Sequence, residues 1–264
     1  MGKTRIVIHG AAGKMGQRLV ALAAEDSQLQ IVAAIESENH SSLGEDVGLL
    51  AGTGPLGIPL SRDFSEADVV IDFSVPAAAE AITSACVERK VSLVMATTGL
   101  SDAQQKALHD AAEKIAVLWA PSMSLAVNLT MKLAEIAGQS LQNHASGVDV
   151  EILERHHRFK EDAPSGTALK FGEIIAGVMG QTRHQHGREG RPGARDENEI
   201  GYHAIRVGDN PGEHTIVFGL LGETLELHVS ATNRDAYALG ALAAARFISD
   251  KEPGYYCMND VLGL

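Results

Sequence analysis

Basic residues are concentrated in one short segment in the second half of the chain. Residues 151–168 read EILERHHRFKEDAPSGTA, and six consecutive positions hold Arg155, His156, His157, Arg158 and Lys160. A histidine in such a cluster can titrate near neutrality and serve as a general acid. The run breaks at 164–166, and we expect a helix to begin at Thr167. A helix start beside clustered cations predicts a binding site for carboxylates.

Other interpretations of this segment stay open. A basic run is usually a solvated face, and two neighbouring histidines can bind a metal ion. We expect no metal site, because no thiol accompanies the pair and no second histidine follows at helical spacing. Adjacent residues of a strand point to opposite faces, so His156 and His157 should have different roles unless the strand ends between them. We expect His184 and His186 in a solvent-exposed loop.

A glycine-rich turn near the start of the chain predicts a second site. Gly10, Gly13 and Gly16 follow the apolar run 6–8, and Ala11 stands where the usual G-x-G-x-x-G pattern has its first glycine. A helix start offers N–H groups and a positive dipole end to a pyrophosphate. Glu36 lies 20 residues after Gly16, where an acid can bind a ribose diol. Each feature also fits a plain turn or a solvated strand end, but their order favours a dinucleotide site.

Small and hydroxyl residues follow the later strands of the first half, at 73–74, 96–99 and 120–123. They suit close approach to a nicotinamide and its ribose. By themselves they fit ordinary strand-to-helix loops equally well.

The elements around the glycine turn alternate between strand and helix. Apolar runs at 6–8, 30–35, 69–73, 91–95 and 115–119 predict strands. Three helices are predicted in this half: one from Met15 onward, one over 77–89 and one that begins at Ser101. This alternation predicts an α/β fold with a parallel sheet covered on both faces.

The second half has a different pattern. We predict helices over 123–142, 167–179 and 235–249, a strand at 148–153, and three strands at 200–207, 214–221 and 224–231. Hairpin turns between the three strands predict an antiparallel meander. Residues 182–195 are polar and predict a mobile loop. The helix at 235–249 is expected to pack back on the first domain, and the three strands make a homo-oligomer the expected state.

Composition excludes several classes of protein. The 264 residues are 45% hydrophobic and 21% charged, which excludes a disordered chain, and the net charge of −12 argues against a broad nucleic-acid surface. We expect no signal peptide, because the apolar run 6–8 is too short for one, and we expect no membrane association, because no apolar run approaches about 20 residues. With only Cys86 and Cys257, we expect a protein of the reducing cytoplasm.

The segment 151–168 resembles a family pattern, E-x-x-x-x-H-H-x-x-K-x-D-x-P-S-G-T-A, and matches it throughout. The family is that of 4-hydroxy-tetrahydrodipicolinate reductases, also called dihydrodipicolinate reductases. Further segments that match are GAAGKMG at 10–16, DFS at 72–74, TTG at 97–99 and RVGDNPGEHT at 206–215. The resemblance covers essentially the whole chain.

The resemblance implies a fold and an activity. The fold is α/β, with a Rossmann-like dinucleotide-binding domain at 1–123 completed by 235–264. A smaller α+β domain with a mixed sheet, at 124–234, would bind substrate and form a homotetramer. The activity is NADH- or NADPH-dependent reduction of 4-hydroxy-tetrahydrodipicolinate, a small dicarboxylate, to tetrahydrodipicolinate in the diaminopimelate route to lysine.

The resemblance also implies roles for individual residues. His156 and Lys160 would be catalytic, and His157, Gly166 and Thr167 would hold the substrate carboxylate. The residues implied to contact the dinucleotide are Gly10, Ala11, Ala12, Gly13, Lys14, Met15, Glu36, Ala96, Thr97, Thr98, Ala120, Pro121, Ser122 and Met123. Hydride would enter the ring at C4, and His156 would protonate the resulting enamine. Lys160 would anchor a carboxylate or assist the protonation.

Three positions depart from the family pattern. Many members have Gly at the position of Ala96, Asn at that of Ser122, and Arg at that of Ser37. An arginine there can bind a 2′-phosphate, whereas Glu36 repels one and Ser37 cannot neutralise it. We therefore expect a preference for NADH over NADPH.

Two rival functions remain from the residues alone. Another two-domain NAD(P)-dependent amino-acid or sugar-acid dehydrogenase would explain the first half but not segment 151–168. A non-catalytic nucleotide-sensing protein would keep the glycine turn and Glu36 but would need no acid at His156 or Lys160.

Overall fold

The computed structural model describes residues 2–264, which form two compact units. Unit 1 comprises the chain through Leu125 together with Arg234–Leu264, and unit 2 comprises Ala126–Asn233. The strands are β1 (Thr4–His9), β2 (Leu29–Ile35), β3 (Leu60–Ser61), β4 (Val69–Asp72), β5 (Ser92–Met95), β6 (Ala116–Trp119), β7 (Asp149–His156), β8 (Arg183–His186), β9 (Glu199–Arg206), β10 (Glu213–Leu220), β11 (Glu223–Ser230) and β12 (Gly254–Tyr256). The helices are α1 (Lys14–Glu25), α2 (Val47–Leu50), α3 (Pro76–Arg89), α4 (Asp102–Ala112), α5 (Leu125–Leu141), α6 (Gly166–Met179), α7 (Asp235–Ile248) and α8 (Met258–Leu262).

Unit 1 is built on a seven-stranded parallel sheet in the order β12-β6-β5-β4-β1-β2-β3. The strands are apolar on both faces because helices cover both. Ile6 and Ile8 belong to the core formed with α1 and α7, whereas Val7 belongs to the core formed with α3 and α4. The strand order reverses between β1 and β4, and ligands of such sheets bind at that point, beside the carboxyl ends of the strands.

Unit 2 is a five-stranded mixed sheet in the order β11-β10-β7-β9-β8. β7 lies at its centre and pairs antiparallel with β10 and parallel with β9. One face of the sheet packs on α5 and α6, where Ile152 meets residues such as Met131 and Phe171 in the core. The predicted α/β class, with a Rossmann-like part and a mixed sheet, is confirmed.

Two predictions about unit 2 are wrong. The three late strands do not form a meander: β10 and β11 make a hairpin, but β9 lies on the far side of β7. Alternating apolar residues identify a strand but not its neighbour, since either arrangement buries the same face. The segment predicted as a loop over 182–195 contains β8, which pairs parallel with β9. His184 and His186 are exposed, as expected, but lie on this strand and stack on Tyr202.

Among residues 2–264, none of the helices combines the length and the apolar composition that crossing a bilayer requires.

Candidate active site

The glycine turn of unit 1 connects β1 to α1 in a close-packed arrangement. Gly10 has a φ of 77°, and a Cβ on it would lie 2.6 Å from the Phe73 carbonyl oxygen. A Cβ on Gly16 would lie 2.1 Å from the Gly10 carbonyl oxygen. These two glycines therefore let the turn, the first helix and the end of β4 approach one another. Gly13 is the N-cap of α1 and supplies no side-chain cap to the first-turn N–H groups.

Glu36 follows β2 and lies beside this turn. Its Oε2 accepts a hydrogen bond from the Ala12 N–H at 3.3 Å, and its Oε1 accepts one from the Ser37 N–H at 3.0 Å. The carboxylate is thus held next to an uncapped helix start. This arrangement fits a dinucleotide whose pyrophosphate lies at α1 and whose ribose diol donates to Glu36.

Asp72 organises the strand ends beside the glycine turn, a role that sequence reasoning missed. It is fully buried at the end of β4. Its carboxylate accepts hydrogen bonds from Ser74 Oγ and Thr97 Oγ1, both at 2.6 Å, and His9 Nδ1 lies 2.6 Å from Oδ1. Thr97 is consequently committed to Asp72, while Thr98 is exposed. A lone acid ending the apolar run VVID is the signal that could have revealed it.

The turn at 120–123 offers little side-chain surface. Ala120, Ser122 and Met123 are buried, and only Pro121 is exposed. α7 packs directly on this turn, because a Cβ on Gly240 would lie 1.7 Å from the Met123 carbonyl oxygen.

The histidine pair of unit 2 lies at the end of β7. His156 is the last residue of the strand and is buried, whereas His157 lies beyond it and donates its N–H to the Asn210 carbonyl at 2.8 Å. His156 Nδ1 lies 2.6 Å from Glu154 Oε2. The strand thus ends between the two histidines, and they have different surroundings all the same.

Glu154 connects three elements around His156. Both of its oxygens accept hydrogen bonds from Arg206 of β9 at 2.7 Å, and Oε1 also accepts the Ser165 N–H at 3.0 Å. Ser165 is the N-cap of α6, and its Oγ accepts the Ala168 N–H and bonds His214 Nε2 at 3.1 Å. Sequence reasoning assigned no role to Glu154, Ser165, Arg206 or His214. A signal was available, because Glu154 and His156 are in phase with the core positions 150 and 152 of β7.

Burial and charge set the protonation of this cluster. Burial lowers the pKa of His156, and Glu154 opposes that effect. Burial alone would raise the pKa of the Glu154 carboxyl, but hydrogen bonds from Arg206 and His156 hold it below its usual value. Burial also lowers the pKa of His214 to about 4, so His214 is neutral at pH 7.

The loop after His156 carries the remaining predicted residues. Lys160 Nζ lies 2.8 Å from Asp162 Oδ1. The backbone N–H of Lys160 donates to the His157 carbonyl. α6 begins at Gly166, one residue earlier than predicted, so Gly166 and Thr167 form its first turn. The positive end of α6, Lys160 and two histidines thus belong to one short stretch of chain, which suits a dicarboxylate.

Two family models together match nearly the whole chain. One, described as "Dihydrodipicolinate reductase, N-terminus", matches residues 4–123, and the other, "Dihydrodipicolinate reductase, C-terminus", matches residues 126–262. The chain belongs to the dihydrodipicolinate reductase family. The N-terminal match identifies unit 1 as a dinucleotide-binding domain, which implies NADH or NADPH as the cofactor.

Curated relatives agree with membership of the dihydrodipicolinate reductase family. A 4-hydroxy-tetrahydrodipicolinate reductase of Rhodopirellula baltica is 57% identical, over 100% of this chain and 97% of the relative. Another of that name, from Alkalilimnicola ehrlichii, is 45% identical, over 99% of each chain. The predicted family and the predicted oxidoreductase class are confirmed, and neither rival function finds support.

Solved structures share the fold of this dihydrodipicolinate reductase family member. A dipicolinate-bound dihydrodipicolinate reductase from Paenisporosarcina sp. TG-14 aligns with a TM-score of 0.78 and 26% identity, covering 97% of both chains. An amine dehydrogenase from Mycobacterium smegmatis aligns with a TM-score of 0.65 and 14% identity, covering 97% of this chain and 95% of the other. The second likeness concerns the fold alone.

Proposed function

We propose that the chain reduces 4-hydroxy-tetrahydrodipicolinate to tetrahydrodipicolinate with NADH or NADPH, in the diaminopimelate route of lysine biosynthesis. The observation that carries this proposal is the buried His156, held by Glu154, in the short stretch of chain that leads to the start of α6. A proton donor and a carboxylate site on one segment are what a cyclic dicarboxylate requires for reduction. The full-length relatives of that name support it.

The substrate carboxylates are held by the end of β7 and the start of α6. The first-turn N–H groups of Gly166 and Thr167 donate to one carboxylate, and the helix dipole favours its charge. His157 and Lys160 supply further donors. Lys160 would have to exchange Asp162 for the substrate, which its position in an exposed loop permits.

The chemistry at the ring needs a hydride and a proton. When bound, the reduced dinucleotide supplies a hydride, which enters the ring at C4 after or together with the loss of water. Addition of the hydride at C4 shifts an electron pair within the ring and gives an enamine. His156 then donates a proton to the enamine carbon. General acid catalysis of this kind contributes about 10²–10⁴ in rate.

Residues 1–123 with 235–264 would hold the dinucleotide. Gly13, Lys14 and Met15 at the start of α1 would bind the pyrophosphate, and Gly10, Ala11 and Ala12 would form the turn beneath it. Glu36 would bind the adenosine ribose. The strand-end residues Ala96, Thr97, Thr98, Ala120, Pro121, Ser122 and Met123 would surround the nicotinamide half, with Thr98 and Pro121 presenting the exposed side chains.

We also propose a preference for NADH. The Glu36 carboxylate lies beside the turn, where a 2′-phosphate would be repelled, and Ser37 carries no compensating charge. Comparison of kcat/KM for the two cofactors tests this, and a strong preference for NADPH would refute it.

Residues 124–234 would bind substrate and form a homotetramer in the cytoplasm. On the sheet face opposite α5 and α6, Leu153 and Ile205 are 36% and 46% exposed, which supports association through that face. Sedimentation of the purified chain tests the assembly, and a monomer at micromolar concentration would contradict it.

The function itself is tested by one assay. Oxidation of NADH is followed by absorbance with and without the cyclised condensation product of pyruvate and aspartate semialdehyde. Turnover that depends on this product is expected. Its absence with both NADH and NADPH would overturn the proposal.

A further inference from the structure

Glu154 makes more contacts than an ordinary ion pair needs. Its side chain is 1% exposed and receives four hydrogen-bond donors, two on each oxygen. Oε1 receives Arg206 Nη2 and the Ser165 N–H, and Oε2 receives Arg206 Nη1 and His156 Nδ1. Each of its lone pairs is therefore used inside the protein.

This pattern determines which ring nitrogen of His156 carries a proton. An ionised carboxylate only accepts hydrogen bonds, so a neutral His156 must donate from Nδ1. Nε2 is then the nitrogen that takes up and releases the catalytic proton. A carboxylate that fixes a histidine tautomer in this way serves catalysis without touching the substrate.

Arg206 keeps Glu154 ionised and in place. The two Nη atoms of Arg206 hold both carboxylate oxygens at 2.7 Å and also donate to the carbonyls of Ile205 and Asp162, at 2.8 and 2.6 Å. A planar guanidinium held at four points cannot swing away without breaking the loop contact at Asp162.

We propose that Glu154, clamped by Arg206, is the positioning residue that holds His156 in the Nδ1–H tautomer and directs Nε2 to the substrate. The proposal rests on the proposed function of His156 as general acid. It adds a determinant of the rate that lies outside the residues in contact with substrate.

The charges around His156 predict the direction in which its pKa moves when Glu154 is neutralised. Glu154 favours the imidazolium, whereas Lys160 in the following loop and Arg206 of β9 disfavour it. Asp162 is paired with Lys160, and the neutral His214 of β10 lies edge-on, with ring centroids 5.3 Å apart. Neutralising Glu154 removes the charge that raises the pKa of His156 and leaves Lys160 and Arg206, which lower it.

Glu154→Gln is the decisive variant. The glutamine amide replaces one acceptor oxygen by an NH₂ group. In either orientation this NH₂ faces an Arg206 Nη and one further donor, which is His156 Nδ1 or the Ser165 N–H. His156 is the partner that can become an acceptor, because it can move its proton to Nε2, whereas the Ser165 N–H cannot. The amide nitrogen is therefore expected to face His156 and reverse its tautomer.

The expected result for Glu154→Gln is a fall in kcat of about 10²–10⁴, the range for loss of general acid catalysis. The high-pH limb of the kcat profile should move to lower pH, and the Kd for NADH should stay unchanged. Long-range ¹H–¹⁵N spectra of ¹⁵N-histidine protein should show the protonated ring nitrogen change from Nδ1 to Nε2.

Glu199→Gln is the matched control, since Glu199 is also buried in unit 2 and bonded to an arginine, Arg188, but has no hydrogen bond to His156. It should retain kcat within about threefold and the wild-type pH profile. If Glu154→Gln behaves like this control, with unmoved limb and tautomer, the proposal is wrong. If wild-type protein shows no turnover, the proposed function fails instead.

Arg206→Lys keeps the inference testable should Glu154→Gln fail to fold. Lysine keeps the positive charge but cannot hold both carboxylate oxygens. Misorientation of the acid is expected to lower kcat about 10²-fold with little movement of the pH limb. Unchanged kcat in a folded Arg206→Lys protein would contradict the clamp.

Discussion

Each unit of the protein places one buried carboxylate at the carboxyl end of a central strand, and the two are used differently. Asp72 of unit 1 binds the hydroxyls of Ser74 and Thr97, with His9 beside it. Glu154 of unit 2 binds the cation of Arg206 and the ring of His156. The first arrangement fixes two hydroxyls beside the proposed nucleotide site, and the second holds the histidine that we propose as the proton donor. Changes around Asp72 should therefore alter nucleotide affinity, and changes around Glu154 should alter kcat.

The largest effect is expected for His156→Ala. Loss of the proposed proton donor should lower kcat about 10²–10⁴-fold, the range for loss of general acid catalysis. The Kd for NADH, measured by fluorescence titration, should be close to that of wild type. Unchanged turnover would remove His156 from the mechanism.

His214 offers a pH test of the same cluster. Its pKa of about 4 in the folded chain lies below the unfolded value of about 6.5, so the unfolded state binds the proton first. The contribution of neutral His214 to the free energy of unfolding should be fully present above about pH 6.5. The free energy of unfolding should fall by up to about 3 kcal/mol as the pH drops toward 4. Urea unfolding of wild type and His214→Asn at pH 7 and pH 5 measures this. An equal loss in both proteins would exclude His214 as the cause.

Asp72→Asn tests the carboxylate of unit 1. Asparagine keeps the shape but offers one acceptor where two hydroxyls and a histidine now meet, so we expect a loss of about 1–3 kcal/mol in unfolding free energy. The Kd for NADH should rise severalfold, while the pH profile of kcat stays in place. A shifted pH profile of kcat would contradict the view that Asp72 affects nucleotide binding and Glu154 affects catalysis.

Ser37→Arg should produce the smallest change. A guanidinium next to Glu36 can pair with a 2′-phosphate, so kcat/KM for NADPH should rise by about tenfold, the effect of one exposed charge-assisted contact of about 1.4 kcal/mol. The value for NADH should change less than threefold. Ser41→Arg serves as a control with the same added charge in the loop after β2 and should leave the cofactor ratio unaltered.

Local patterns were sufficient for much of this protein. The alternation of apolar strands and helical segments through Trp119 depends on burial of both sheet faces, and it predicted β1, β2, β4, β5 and β6 with their helices. The short strands β3 and β12 were missed, because two or three residues carry no periodicity. Segment 151–168 identified the family because its unusual residue types occur at fixed spacing within one strand, loop and helix start.

Tertiary structure alone decided which strands are neighbours and which polar groups meet. β9 lies beside β7 rather than β10, and this placement brings Arg206 to Glu154 across 52 positions of sequence. Spacing along the chain cannot reveal such a contact, because hydrogen bonds between strands depend on register in space. The sequence by itself determined the fold class, the family and the histidine pair at 156–157, whereas the sheet determined which carboxylate and which arginine meet His156.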